Sequence, residues 1–169
     1  MALSATDLRQ WAADQVDMAP HIDTLTKYAR ESLTVVEFGV RGAVSTWAIL
    51  TGLPPEGRLW SVEIDGNCKV PPAVTADPRW TLIIGDDLDP KVQAQLPNPV
   101  DWVFIDTSHE YEQTVAELAY VLTLSPKAIV MHDYVMEPVL LAGTEFCSRE
   151  GWRVLANEMP FGLATLVPK

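Results

Sequence analysis

The sequence predicts an α/β fold, a doubly wound and mostly parallel sheet with an antiparallel last strand, preceded by N-terminal helices. Three observations carry this reading. Short β-branched runs alternate with stretches of helical spacing, and parallel strands need such crossovers. Most runs end in an acid or a glycine turn, which collects polar residues at one edge of the sheet. The chain closes with two runs on either side of Pro160 and Gly162, a turn suited to an antiparallel return.

With 169 residues, one domain over 1–169 is expected, residues 1–31 forming a helical extension. There Leu8, Trp11, Ala12, Val16, Ile22, Leu25 and Tyr28 recur at helical intervals; Ser4 or Thr6 is a candidate N-cap and Pro20 a break, so two helices are expected. Strand one runs from Thr34 to Phe38 and meets the turn Gly39-Val40-Arg41-Gly42-Ala43, after which Ser45-Thr46 open a helix carrying Trp47 and Leu50. That helix ends near Gly52, where Pro54-Pro55-Glu56-Gly57 forces a turn. Glycine lets backbone approach a ligand, and amides at a helix start can donate to an anionic group, so a nucleotide-type pocket is expected here. The same pattern also serves plain strand–helix packing.

Arg58 to Asp65 reads as strand two. Its terminal acids lie roughly 20 residues past the glycine turn, where ribose-binding folds place a carboxylate, with Glu63 the first choice and Asp65 the second. Pro71 and Pro72 predict a short, irregular crossover. Trp80 to Ile84 is strand three, ended by Gly85-Asp86-Asp87, and Asp89-Pro90 start a brief helix through Leu96. Val100 to Asp106 is strand four; Thr107-Ser108-His109-Glu110-Tyr111 then lead into a helix with Val115, Leu118 and Leu122 on one face. Strand five, Ala128 to Met131, ends in His132-Asp133-Tyr134, and a helix from Glu137 to Ser148 precedes strands Trp152 to Ala156 and Leu163 to Val167. Gly39, Ser45, Glu63, Asp86, Asp106, His109 and Asp133 all fall on the edge where open α/β sheets bind ligands.

Composition excludes several classes. A net charge of −11 without a compensating basic cluster repels phosphate backbones, so no nucleic-acid partner is expected. No apolar run approaches the length that spans a membrane, and the N-terminus, interrupted by Asp7, Arg9, Asp14 and Asp17, lacks the pattern of a signal peptide. A soluble, cytoplasmic protein is expected, with Cys68 and Cys147 as reduced thiols because their spacing suits neither a metal nor a required bridge.

The stretches Glu37-x-Gly39 with Ser45-Thr46, Ser61 to Asp65, Gly85-Asp86, Asp101 to Asp106 with His109 and Tyr111, and His132-Asp133-Tyr134 resemble class I S-adenosylmethionine-dependent methyltransferases. The resemblance runs from about residue 21 to the C-terminus, and its last two stretches, the more specific ones, are similar to small-molecule O-methyltransferases of the macrocin and catechol type and to the cephalosporin hydroxylase group. It implies a Rossmann-like domain, a transferase performing O-methylation on a small-molecule or sugar hydroxyl, and S-adenosylmethionine as cofactor. Glu37, Gly39 and Ser45 would hold the methionine end, Glu63 the ribose hydroxyls, and Asp86 the adenine edge. Asp106 and Asp133 would be metal-binding acids, suited to Mg2+, or would cap and support their turns. His109 is the candidate base by type, or a histidine that orients its loop. The sequence departs from the pattern at Ala43, where a second glycine is common, at Tyr134 in place of asparagine, and at His109 near the place of a lysine. Family analogy also implies a homo-oligomer. Two other readings stand beside this one: a non-catalytic cofactor-binding or scaffold protein of the same fold, and an NAD-dependent oxidoreductase, whose G-x-G-x-x-G fingerprint is absent.

Overall fold

The computed structural model describes residues 5–169. Helix α1 (Ala5–Ala13) and a 3-10 turn (Ala19–His21) lead directly into α2 (Ile22–Ala29). Then come β1 (Thr34–Phe38), α3 (Val44–Gly52), β2 (Arg58–Glu63), α4 (Pro72–Thr75), β3 (Trp80–Ile84), α5 (Pro90–Gln93), β4 (Trp102–Ile105), α6 (Tyr111–Thr123), β5 (Ala128–Met131), α7 (Glu137–Glu150), β6 (Trp152–Glu158) and β7 (Leu163–Pro168). The strands form one sheet in the order β3-β2-β1-β4-β5-β7-β6. The first five are parallel and β7 pairs antiparallel with both β5 and β6, as the patterning predicts.

Both faces of the parallel core are covered, which is why its central strands read as almost unbroken apolar runs. Alternate residues divide between two layers. Val36, Phe38, Val103, Ile105, Ile129 and Met131 pack against Leu118 and Val121 of α6 and Val139 and Phe146 of α7. Val35, Trp102, Phe104 and Val130 pack on the opposite side with Leu25 and Ala29 of α2 and Ala48 and Ile49 of α3. Burying a side chain such as Phe38 or Phe104 contributes on the order of 2 to 3 kcal/mol, and both are fully buried. In β1 an acid breaks the apolar pattern: Glu37, in the centre of the sheet and also fully buried.

Several boundaries differ from the expectations. Ser4 lies outside the described residues, and Thr6 falls inside α1 rather than at its cap. Val16 is exposed beyond the end of α1, so it is not part of the helical stripe. Strand two stops at Glu63 instead of Asp65, because the Asp65 amide donates back to the Glu63 carboxylate at 2.9 Å and turns the chain. Helix α5 ends at Gln93, short of Leu96, whereas α7 continues past Ser148 to Glu150 and is capped by Gly151 at φ 73°. On α6 the buried stripe is Thr114, Glu117, Leu118 and Val121, one position away from the stripe the apolar residues suggest, and it carries a buried acid.

Candidate active site

The parallel strands β1 to β5 deliver their carboxyl ends to one edge. A cavity of about 400 Å³ opens there, between the turns that follow β1, β2, β3 and β4. Gly39, Glu63, Asp86, Asp106 and His109 line it. A second cavity of about 420 Å³ lies at the opposite edge beside Tyr28, Asp101 and Trp102, away from these groups.

The turn after β1 is built by close approach. Gly39 has φ 87°, and a Cβ there would stand 1.9 Å from the Asp106 carbonyl oxygen. Only glycine lets β1 and β4 end side by side. Ala43, at the position where the resembled family often has a second glycine, adopts the left-handed conformation at φ 62°, so the turn keeps that geometry with an alanine in it.

Two carboxylates brace this turn. Glu37 accepts from the hydroxyls of Ser45 at 2.6 Å, Thr46 at 2.7 Å and Ser61 at 2.6 Å. Burial pushes its pKa up to about 7 against the pull of these three donors. Glu37 and Ser45 are therefore joined to each other, behind the wall of the main cavity. Glu63 Oε2 accepts from the amides of Val40 at 2.9 Å and Arg41 at 2.7 Å. The amides of the glycine turn are thus engaged by a carboxylate of the chain itself. Asp65 lies exposed outside the main cavity and accepts from the Asn67 amide. Ile64 is 75% exposed on the cavity rim next to Glu63, an apolar surface where a flat base can rest.

At the β4 and β5 ends, two acids and two imidazoles form one cluster. His109 Nε2 is 3.1 Å from Asp106 Oδ1 and 3.2 Å from Asp133 Oδ2. His132 Nδ1 stands 3.1 Å from Asp133 Oδ2 and 3.4 Å from Asp106 Oδ1, while its Nε2 faces the Asp17 carbonyl at 3.4 Å. Burial works against ionisation of Asp106, yet the two histidines outweigh it and hold the carboxyl well below its usual range. The Asp106 hydrogen bond raises His109 over the opposing effect of burial; burial also disfavours the His132 cation, and the two acids overcome it. His109 and Asp133 have left-handed backbones, at φ 59° and 52°. Such conformations cost on the order of 1 to 3 kcal/mol each and persist where the surroundings impose them. Ligand atoms of Asp106, His109 and Asp133 lie within 4.8 Å of one another, a spacing that could hold a metal ion.

The N-terminal extension closes one side. Asp17 pairs with Arg41 of the glycine turn at 2.6 Å, and the His21 ring meets the His132 ring edge-on at 5.4 Å. In the sequence His132 stands out only as part of a motif, and nothing marks Asp17, His21 or Arg41 as site residues. Asp87, Gln113 and Glu117 were likewise not site candidates. The signals were faint: a second acid after Asp86, and a Gln–Glu pair spaced i, i+4 on one face of α6.

A glycine-turned β1, an acid closing β2 and polar strand tips around one cavity define an open α/β domain with its candidate site at the strand carboxyl ends. Comparison with known proteins gives the family: the methyltransferase domain profile matches residues 36–134, more than half of the chain, and the chain belongs to that family. Its fold is that of class I S-adenosylmethionine-dependent methyltransferases. The O-methyltransferase from Bacillus cereus, crystallised with SAH, is similar at TM-score 0.73 and 17% identity, covering 97% of this chain and 90% of its own. TomG from Streptomyces achromogenes, an O-methyltransferase involved in tomaymycin synthesis and crystallised with SAM, aligns at TM-score 0.72 and 18% identity over 99% of this chain and 92% of its own. The SAH-bound Podospora anserina methyltransferase PaMTH1 aligns at TM-score 0.72 and 11% identity over 100% and 90%. No curated protein matches the chain in sequence. Among the described residues, no helix is long and apolar enough to cross a membrane.

Proposed function

We propose that the chain is a single-domain S-adenosylmethionine-dependent O-methyltransferase that acts on a hydroxyl of a small molecule or sugar. The observation that carries this is the continuity of one cavity from Glu63 and Asp86 at its nucleoside end to Asp106 and His109 at its polar end. The cofactor fits what is present. Glu63 supplies carboxylate oxygens at the right edge for ribose hydroxyls, Ile64 an apolar wall for the base and Asp86 acceptors for its amine, while the bare Cα of Gly39 leaves room at the strand tip. When bound, the cofactor supplies an electrophilic methyl group on a sulfonium. The chain's own task is to align the acceptor oxygen with that group and to manage the acceptor proton. Glu37 and Ser45 support the turn from behind, a less direct role than contact with the methionine end.

Asp106, Asp133 and His109 fit a divalent cation by donor set and spacing. Two carboxylates suit Mg2+, and the imidazole also admits transition metals. Such an ion would lower the pKa of a hydroxyl bound beside it. Without it, His109 Nε2 remains between two carboxylates, which favours its protonated form and makes it a poor proton acceptor at neutral pH. We therefore place His109 with the two acids as a cation ligand first and as a base second. The acceptor is taken to be a small molecule because the net charge of −11 disfavours nucleic acids. Methyl transfer to a panel of phenolic and sugar hydroxyls, assayed with and without a chelator, tests the proposal. Metal-restored transfer supports it in full; chelator-resistant transfer that Asp133→Asn leaves unchanged removes the cation; transfer to none of the acceptors counts against the reaction.

A further inference from the structure

On the β3 side of the cavity, two acids are buried without a cation. Asp87, in the turn after β3, is 7% exposed, and Glu117, on α6, is fully buried. The Gln113 amide joins them: its Nε2 donates to Asp87 Oδ1 at 3.1 Å and to Glu117 Oε1 at 2.9 Å, spending both N–H groups. Glu117 Oε2 has no hydrogen-bond partner, and the polar neighbours of that carboxyl are Asp87, Thr107 and Gln113. The groups acting on Asp87 are Asp86 beside it, Glu117 and Gln113, those acting on Glu117 are Asp87, Thr107 and Gln113, and among the described residues neither acid forms an ion pair with a basic side chain. Two buried carboxylates this close cannot both ionise without strong repulsion, and one retained proton relieves it. Burial raises both acids, with repulsion from Asp86 adding to it at Asp87 and repulsion from Asp87 adding to it at Glu117, while the hydrogen bonds of Glu117 and Gln113 pull Asp87 the other way.

Gln113, Asp87 and Thr107 also line the cavity. The acids therefore set the position of one of its walls. We propose that Asp87 and Glu117, sharing one proton under the Gln113 amide, are positioning residues that brace the cavity wall at the nucleoside end of the cofactor, so that cofactor affinity depends on the pair keeping that proton. The inference rests on the cofactor reading above and goes beyond it in naming a proton-linked brace. When the pair loses its proton, the two carboxylates repel across the amide that donates to both, and the wall made by Gln113 and Thr107 loosens. A ligand that binds the braced form favours the proton, so its affinity must fall as pH rises past the second ionisation of the pair, by at most about tenfold per pH unit for one proton.

Calorimetric titration of the full chain with S-adenosylhomocysteine at about pH 7 and about pH 9 tests this. The wild type is expected to bind at the lower pH and to weaken by about three- to tenfold at the higher. In Glu117→Gln the amide keeps the volume and donates to Asp87 with no proton to lose. That variant is expected to bind within about threefold of wild type at the lower pH and to hold its affinity at the higher. Should that variant fail to fold, Asp87→Asn removes the repulsion across the amide and is expected to lose less affinity than wild type between the two pH values, and titration of the ligand's own groups affects all three proteins equally. An alkaline loss that is absent in the wild type, or equal in wild type and variants, overturns the brace while leaving the cofactor reading intact. Absence of binding by the wild type at about pH 7 overturns the cofactor reading and the inference with it.

Discussion

Glu37 shows how a single residue can run against its surroundings and still belong there. A carboxyl in the middle of a parallel sheet is costly unless its oxygens are satisfied, and three hydroxyls, from two positions of α3 and one of β2, satisfy it. Glu37→Ala would take the acceptor from all three hydroxyls, leaving Ser61 only the bond it accepts from Trp80 Nε1, and is expected to destabilise the protein by on the order of 3 kcal/mol, read by urea unfolding. The pH dependence has a defined sign. Folding raises this acid from 4.5 to about 7, so the folded state holds a proton that the unfolded state has released between those limits. Its contribution to stability is full below about 4.5 and declines until about 7. Glu37→Gln lacks that slope, and its stability relative to wild type should rise from about pH 5 to about pH 7 and then level off. A constant difference across that range would show that Glu37 is ionised throughout. At Gly39 the constraint is steric: with the Asp106 carbonyl 1.9 Å from any Cβ, Gly39→Ala must part the tips of β1 and β4 and is expected to abolish cofactor binding, a loss checked by calorimetry on folded protein.

The elements fit together through a few side chains at their ends. Asp101, just before β4, accepts from the amides of Leu33 at 2.7 Å and Thr34 at 3.0 Å and pairs with Lys127 ahead of β5 at 2.6 Å. One carboxylate thus sets the start of three neighbouring strands. Partial burial opposes its ionisation, but Lys127 and the two amides outweigh that and lower its pKa. Asp101→Ala is expected to cost about 1 to 3 kcal/mol near neutral pH, and the difference should shrink as pH falls below about 4, as thermal unfolding would show. The strands themselves were readable because β-branched runs, strand-end acids and punctuating Gly and Pro coincide, as in Ala128 to Met131 and Trp80 to Ile84. Asp106, His109 and Asp133 were readable for the same reason, since residues at parallel strand tips must share an edge. The Asp87–Glu117 pair was not, because it depends on how α6 rotates over the end of β3, a tertiary fact that places Glu117 inward where the apolar residues alone suggest another stripe. His132 reaching Asp17 across 115 positions escaped for a similar reason. Long-range contacts of single polar atoms leave no periodicity to read.

For the whole molecule, the sheet order and the two packed layers explain where function can lie. The carboxyl edge combines open space with acids from the ends of β2, β3, β4 and β5, and the N-terminal extension closes its flank through the Asp17–Arg41 pair and the contact between His21 and His132. The methyltransferase family, the glycine turn and the acid at the end of β2 make this cavity the proposed place of the cofactor. The most direct measurement is calorimetric titration of the full chain with S-adenosylmethionine, alongside NAD and the Glu63→Ala variant. Saturable binding at one site per chain is expected for S-adenosylmethionine, with no heat from NAD. Glu63→Ala, folded by circular dichroism, should bind more weakly by about 1 to 3 kcal/mol, roughly five- to 150-fold. Absence of binding, or equal binding by wild type and Glu63→Ala, would contradict the assignment of this cavity.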